Sequence, residues 1–312
     1  MNKETKAILS SSLKNAKKVL AKRNKIVDKK NKRRQNRGAQ MSSPKISPQL
    51  SGRMERMAKK GADFKGVLIA EGDSWFDYPG DDILSILEDE YDYDVKSVAR
   101  KGDEIQEMAF QGNQLERFVR KLEKCIRRSE IPDAILLSGG GNDVSGAHFE
   151  TFLNHADSIK PGLNLTVTQE VINHRIREAY LHIISMITHV CEDRLGRKIP
   201  IIIHGYDYAV PDGRGFKFGF FTFSGPWLEP GFDAKGYTDI NIKRKIVKQL
   251  IDMLNDVLTG IPIIRGFNHV KYVDLRNTLP NASSSYKKWW DNELHPTDKG
   301  FERVAKKIVQ QI

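Results

Sequence analysis

Val67-Leu68-Ile69-Ala70-Glu71-Gly72-Asp73-Ser74-Trp75 runs an apolar tetrapeptide straight into an acidic turn that contains a glycine. A strand that is apolar at consecutive positions is buried on both faces, as in a parallel sheet covered by helices. The glycine lets the chain leave the strand sharply, and a serine two residues later then presents its hydroxyl at the sheet edge. Four further short apolar runs follow: Val95–Val98, Ala134–Leu137, Ile201–Ile203 after Pro200, and Val270–Val273. Helical patterns lie between them over 81–90, 103–128, 168–195 and 236–258, with a last one over 298–311. This alternation predicts an α/β protein: a three-layer α/β/α sandwich with a parallel sheet of about five strands. In such sheets functional residues lie beyond the carboxyl ends of the strands.

With 312 residues, 39% hydrophobic and 29% charged, the chain suits one large α/β domain or two small ones. No run approaches the roughly 18 apolar residues of a membrane-spanning helix. The N-terminus lacks the apolar core of a signal peptide, and Cys125 and Cys191 are too few for a disulfide framework. A reducing, cytoplasmic setting is therefore the expectation. The net charge of +11 is unevenly placed. Residues 1–65 carry 20 Lys and Arg against 4 Asp and Glu, which leaves 31 against 36 in residues 66–312. The basic character belongs to the tail, so the charge of the main domain gives no reason to expect a nucleic-acid substrate.

Leu9, Leu13, Ala16 and Leu20 fall at near-helical spacing, which predicts a basic amphipathic helix over residues 4–30. Charges crowd from Lys29 to Arg37, and Ser42–Ser51 adds prolines and serines that read as a linker. The chain thus divides into a basic, partly helical or disordered extension (1–60) and a main domain (61–312). The extension is either simply solvated or meets an anionic partner, a nucleic acid or a membrane surface.

The strand ends carry the chemistry. Gly72-Asp73-Ser74 follows the first, Gly102-Asp103 the second, and Ser138-Gly139-Gly140-Gly141-Asn142-Asp143 the third. Asp291-Asn292-Glu293-Leu294-His295-Pro296-Thr297 directly precedes the last helix. Together these resemble the four blocks of the SGNH (GDSL-type) hydrolase family: a GDS serine, a glycine, a GxND asparagine and a DxxH histidine. The resemblance spans residues 66–312 and leaves the tail uncovered. It implies a flavodoxin-like fold and a cofactor-independent serine esterase acting on a small-molecule, glycan or lipid ester. It also implies Ser74 as nucleophile and His295 as base and later acid. The Ser74 and Gly102 N–H groups and the Asn142 amide would be the oxyanion donors.

One position departs from the pattern. The triad acid stands three residues before the histidine, and that residue here is Asn292. Asp291 can take the role through a shifted loop and is preferred. Asn292 can hold the imidazole by hydrogen bonding, or a backbone carbonyl can serve.

Other readings stand beside these. Ser74 can cap a helix, Asp73 braces its loop, and His174, His182 and His189 suit packing or surface roles. His204, at the end of the fourth strand, is a candidate substrate contact. No H-E-x-x-H or C-x-x-C spacing calls for a metal or other cofactor. Tyr206, Tyr208, Phe216, Phe218, Phe220, Phe221, Phe223 and Trp227 form a glycine-punctuated aromatic stretch that is either a lid and acyl-binding wall or a satellite core. Trp75, Phe76 and Tyr78 are candidates for the same pocket. The competing function is an anion-binding protein acting through its basic tail, with the hydrolase-like domain secondary or inactive.

Overall fold

The computed structural model describes residues 1–36, 64–218, 221–281 and 285–312. The Ser42–Ser51 linker, Phe220, and the side chains of Phe218, Phe221 and Phe223 lie outside the described residues. The chain begins with helix α1 (Lys3–Asn36), then β1 (Gly66–Glu71), α2 (Ile83–Asp89), β2 (Tyr93–Ser97), α3 (Ile105–Phe110), α4 (Gln114–Arg127) and β3 (Ala134–Leu137). A short hairpin, β4 (Leu153–Asn154) and β5 (Gly162–Leu163), leads to α5 (Leu165–Gln169). One π-helical stretch, Glu170–Ile176, joins α5 to α6 (Arg177–Leu195). Strand β6 (Ile201–His204) precedes a second hairpin, β7 (Phe216–Phe218) and β8 (Phe221–Ser224). The chain ends with α7 (Glu229–Ala234), α8 (Ile240–Thr259), β9 (Val270–Val273) and α9 (Asp298–Val309).

The main sheet is parallel throughout, in the order β2-β1-β3-β6-β9. That is the flavodoxin-like order, whose crevice opens where the chain reverses its direction of travel, between β1 and β3. The Gly72-Asp73-Ser74 turn leaves β1 and the Gly139–Asn142 turn leaves β3, so two of the four blocks flank the crevice. Right-handed crossovers put α2 and α9 on one face and α3, α4, α6 and α8 on the other. The observed packing of α2 on α9, and of α3 and α4 on α6, agrees. Leu68, Ile69, Ala70 and all of Ala134–Leu137 are fully buried, as strands covered on both faces require.

The helical pattern over 103–128 breaks in two. Gly112 and Asn113 both take left-handed backbone angles (φ +58° and +56°), which a right-handed helix cannot contain. The restart makes Gln114 the first residue of α4.

Helix α1 uses its apolar face on the domain. Ala16 and Leu20 belong to the core and α1 packs along α6. The Ser12 hydroxyl and His182 Nδ1 are 2.9 Å apart. Arg23 and Arg194 share the buried Glu123 of α4, and Glu4 pairs with His174 at 2.8 Å. Lys6, Lys14, Lys17, Lys18 and Lys25 point outward and are exposed.

Candidate active site

The turn after β1 is held from within. Asp73 Oδ1 accepts from the Trp75 N–H (3.0 Å) and the Ser138 hydroxyl (2.9 Å), and the Tyr206 hydroxyl donates to Oδ2. Asp73 thus braces the loop. Gly72 is needed for close approach: a Cβ there would lie 2.8 Å from both Phe76 and Ser138.

This turn aims Ser74 Oγ at His295 Nε2, 2.7 Å away. The ring's other nitrogen, Nδ1, lies 2.9 Å from Asn292 Oδ1. Asn292 Oδ1 also accepts from the backbone N–H groups of Leu294 and His295, both at 3.0 Å. An atom surrounded by backbone donors must be the amide oxygen, so the hydrogen on the imidazole sits on Nδ1. Nε2 is left with its lone pair toward the Ser74 hydroxyl, which is the tautomer a general base requires.

The expectation that Asp291 orients the ring is corrected here, because Asn292 does so. The Asp291 carboxylate instead accepts from the Tyr78 hydroxyl (2.7 Å) and from Asn292 Nδ2 (3.1 Å), so it acts on the imidazole only through the amide. Tyr78 stacks on the ring at 4.5 Å, with Trp227 edge-on at 5.3 Å. Burial, reinforced by Asp291, holds the Tyr78 hydroxyl protonated, well above its ordinary range. Burial without a directly bonded carboxylate pulls the His295 pKa down to about 3. Neutral imidazole is the basic form, so an activity that depends on it keeps its acid limb well below the usual histidine value of about 6.5. Exchanging the two residues (Asp291→Asn with Asn292→Asp) puts the carboxylate on the ring. We expect kcat/KM, flat in the wild type from pH 4 to 8, to acquire an acid limb within that range, about 1–3 units above the wild-type one. An unmoved limb would mean that His295 is not the group being titrated.

Gly102 takes a left-handed conformation (φ +83°) with no atom within 4 Å of where a Cβ would stand. The glycine is therefore required by backbone angle and not by space. Asn142 Nδ2 donates to the Asp103 carbonyl at 3.0 Å. Asp143 is bound to α3 instead, accepting from the Ile105 N–H at 2.9 Å, and burial pushes its pKa up to about 7. Ser74, His295, Gly102 and Asn142 all line one cavity of about 680 Å³, walled by Tyr78, Phe216 and Trp227, with Lys101 at its edge.

Of the aromatic stretch, Phe216 and Trp227 reach the cavity, whereas Tyr206 and Tyr208 are buried against the core. Trp75 and Phe76 are likewise buried beneath the turn. His204 does not line the cavity. It is buried among Trp75, Phe76 and Tyr206, with Nδ1 near the Gly205 carbonyl.

Sequence reasoning missed Glu293. Its fully buried carboxylate accepts from four backbone N–H groups: Gly213 (3.1 Å), Trp227 (2.6 Å), Leu228 (2.8 Å) and Glu229 (3.0 Å). One side chain thus ties the aromatic wall to the histidine loop. Glu293→Gln presents an NH₂ to some of those donors. We expect about 1–3 kcal/mol of lost stability in denaturant melts, and a raised KM as the Trp227 wall loosens.

This chain carries its four SGNH-like blocks after β1, β2 and β3 and directly before α9. No protein-family model and no curated protein matches it. Solved structures with a similar chain path include a member of the lipolytic G-D-S-L family from Veillonella parvula (14% identity, 78% of this chain and 96% of that one, TM-score 0.42). An acetyl xylan esterase from Geobacillus stearothermophilus also matches (14% identity, 80% and 94%, TM-score 0.32). A third is the esterase EstA from a Pseudoalteromonas species (9% identity, 79% and 96%, TM-score 0.35).

Proposed function

We propose that this protein is a serine esterase that hydrolyses a carboxylic ester through an acyl-serine intermediate. The observation that carries the reading is the 2.7 Å contact between Ser74 Oγ and His295 Nε2, facing a cavity that also presents Gly102 and Asn142.

The steps follow from that geometry. Ser74 Oγ forms a bond to the ester carbonyl carbon while its proton passes to His295 Nε2. The carbonyl oxygen becomes an oxyanion, received by the Ser74 and Gly102 N–H groups and the Asn142 amide. Collapse of the tetrahedral adduct breaks the bond to the alkoxy oxygen, and the alcohol leaves with the proton from Nε2. Water then repeats the sequence on the acyl-serine and releases the carboxylic acid. Asn292 keeps the ring in the required tautomer throughout, with Asp291 polarising its amide.

A cavity of about 680 Å³ with three aromatic walls supports an acyl group with an apolar face. The test is covalent. A fluorophosphonate should add one phosphonyl group to the full chain, mapped to Ser74 by peptide mass, and a protein that stays unlabelled would sink the proposal.

A further inference from the structure

Against the candidate oxyanion loop lies a partly buried polar cluster that the proposed chemistry does not use. Glu71 is the last residue of β1, three residues before Ser74, and is 2% exposed. Gln114 is the first residue of α4 and is also buried. Its amide Nε2 donates to Glu71 Oε1 at 3.1 Å and also to Asp103 Oδ2. Asp103 directly follows Gly102, and its carbonyl accepts from Asn142 Nδ2. One glutamine amide therefore bridges two carboxyl groups, and the second belongs to the residue that touches both proposed side-on oxyanion donors.

We propose that Gln114 and Glu71 are positioning residues for the oxyanion loop, holding Asp103, and through it Gly102 and Asn142, in register with Ser74. The inference rests on the esterase reading for its kinetic consequence but not for its structural one. Both amide hydrogens of Gln114 are committed, one to each carboxyl group, so the bridge holds as long as the two groups do not repel each other. Glu71 Oε2 is buried without a hydrogen-bond partner. A charge there finds no side-chain donor, and the Gly72 N–H and the Arg117 charge favour it less than burial opposes it.

The charges facing the pair come from three elements: Arg117 on α4, Arg100 and Asp103 on the β2–α3 loop, and Asp73 in the nucleophile turn. Burial, set against the Gln114 hydrogen bond, pushes the Glu71 pKa up to about 8, and burial also raises that of Asp103. Above that pH, Glu71 becomes an anion beside Asp103. Repulsion then pushes the loop out of register.

Two variants of the full chain test this. In Glu71→Gln the side chain mimics the protonated acid, so the fall of kcat above pH 8 expected of the wild type should move up by at least one unit. Gln114→Glu keeps the shape but removes both donors. Its kcat should fall about tenfold or more with KM little changed, whereas a role in packing alone would leave kcat where it was. An alkaline limb that stays put in Glu71→Gln, or a wild-type kcat in Gln114→Glu, overturns the proposal. If the wild type neither turns over esters nor takes up a fluorophosphonate, the esterase reading fails separately. The cluster is then read from the ¹⁵N resonances of Gly102 and the Asn142 amide. These should shift with a midpoint near pH 8 in the wild type and not in Glu71→Gln, and a flat wild-type titration overturns it.

Discussion

Ser74→Ala is expected to lower kcat/KM toward p-nitrophenyl acetate by on the order of 10⁴-fold or more, and His295→Ala to do nearly the same. In the proposed mechanism the two act as a unit, since the hydroxyl is a weak nucleophile until Nε2, 2.7 Å away, takes its proton. Losses in the single variants should therefore not multiply in the double variant. Folding should be little affected, because Ser74 contributes one hydroxyl at a cavity wall, while the turn is held by Asp73, Ser138 and Tyr206. The measurement is turnover of the full chain against acetate, butyrate and octanoate esters, with thermal melts alongside. Equal rates in wild type and Ser74→Ala would remove the serine from the mechanism.

Asn142→Ala is expected to cost about 10²–10³-fold in kcat with KM nearly unchanged, the signature of a donor used only in the transition state. The amide has two N–H groups, and the Asp103 carbonyl takes one, leaving the other for the developing oxyanion. Asn142→Asp is the sharper variant. It is isosteric but puts an acceptor where a negative oxygen forms, so its loss should exceed that of Asn142→Ala. A larger effect on KM than on kcat in both variants would assign Asn142 to substrate binding instead.

The division between sequence and tertiary structure is clearest around His295. The spacing of the fourth block points to position 292 whatever residue stands there, and that spacing was the correct signal. A preference for a carboxylate favoured Asp291, yet the loop is a tight turn in which Asn292 Oδ1 accepts from the N–H groups of Leu294 and His295. Asparagine and aspartate both make such turns, so the backbone sends side chain 292 to the imidazole irrespective of charge. Residue 291, one step away, points elsewhere and meets Tyr78.

The inner strands β1, β3 and β6 were legible because burial on both faces writes an unbroken apolar run into the chain, whereas the edge strands β2 and β9 carry Lys96 and Lys271 within theirs. The four blocks were legible because each sits where such a strand, or the last helix, begins or ends. Glu293 and Gln114 left no such mark. Their roles depend on partners far away in sequence, the N–H groups of 213 and 227–229 for one and the carboxyl groups of 71 and 103 for the other. Periodicity and motif spacing report on local backbone and on which faces are buried. Which buried polar atoms finally meet is decided only when the sheet order brings distant turns to one edge, because a hydrogen bond needs its two atoms placed to within a few tenths of an ångström.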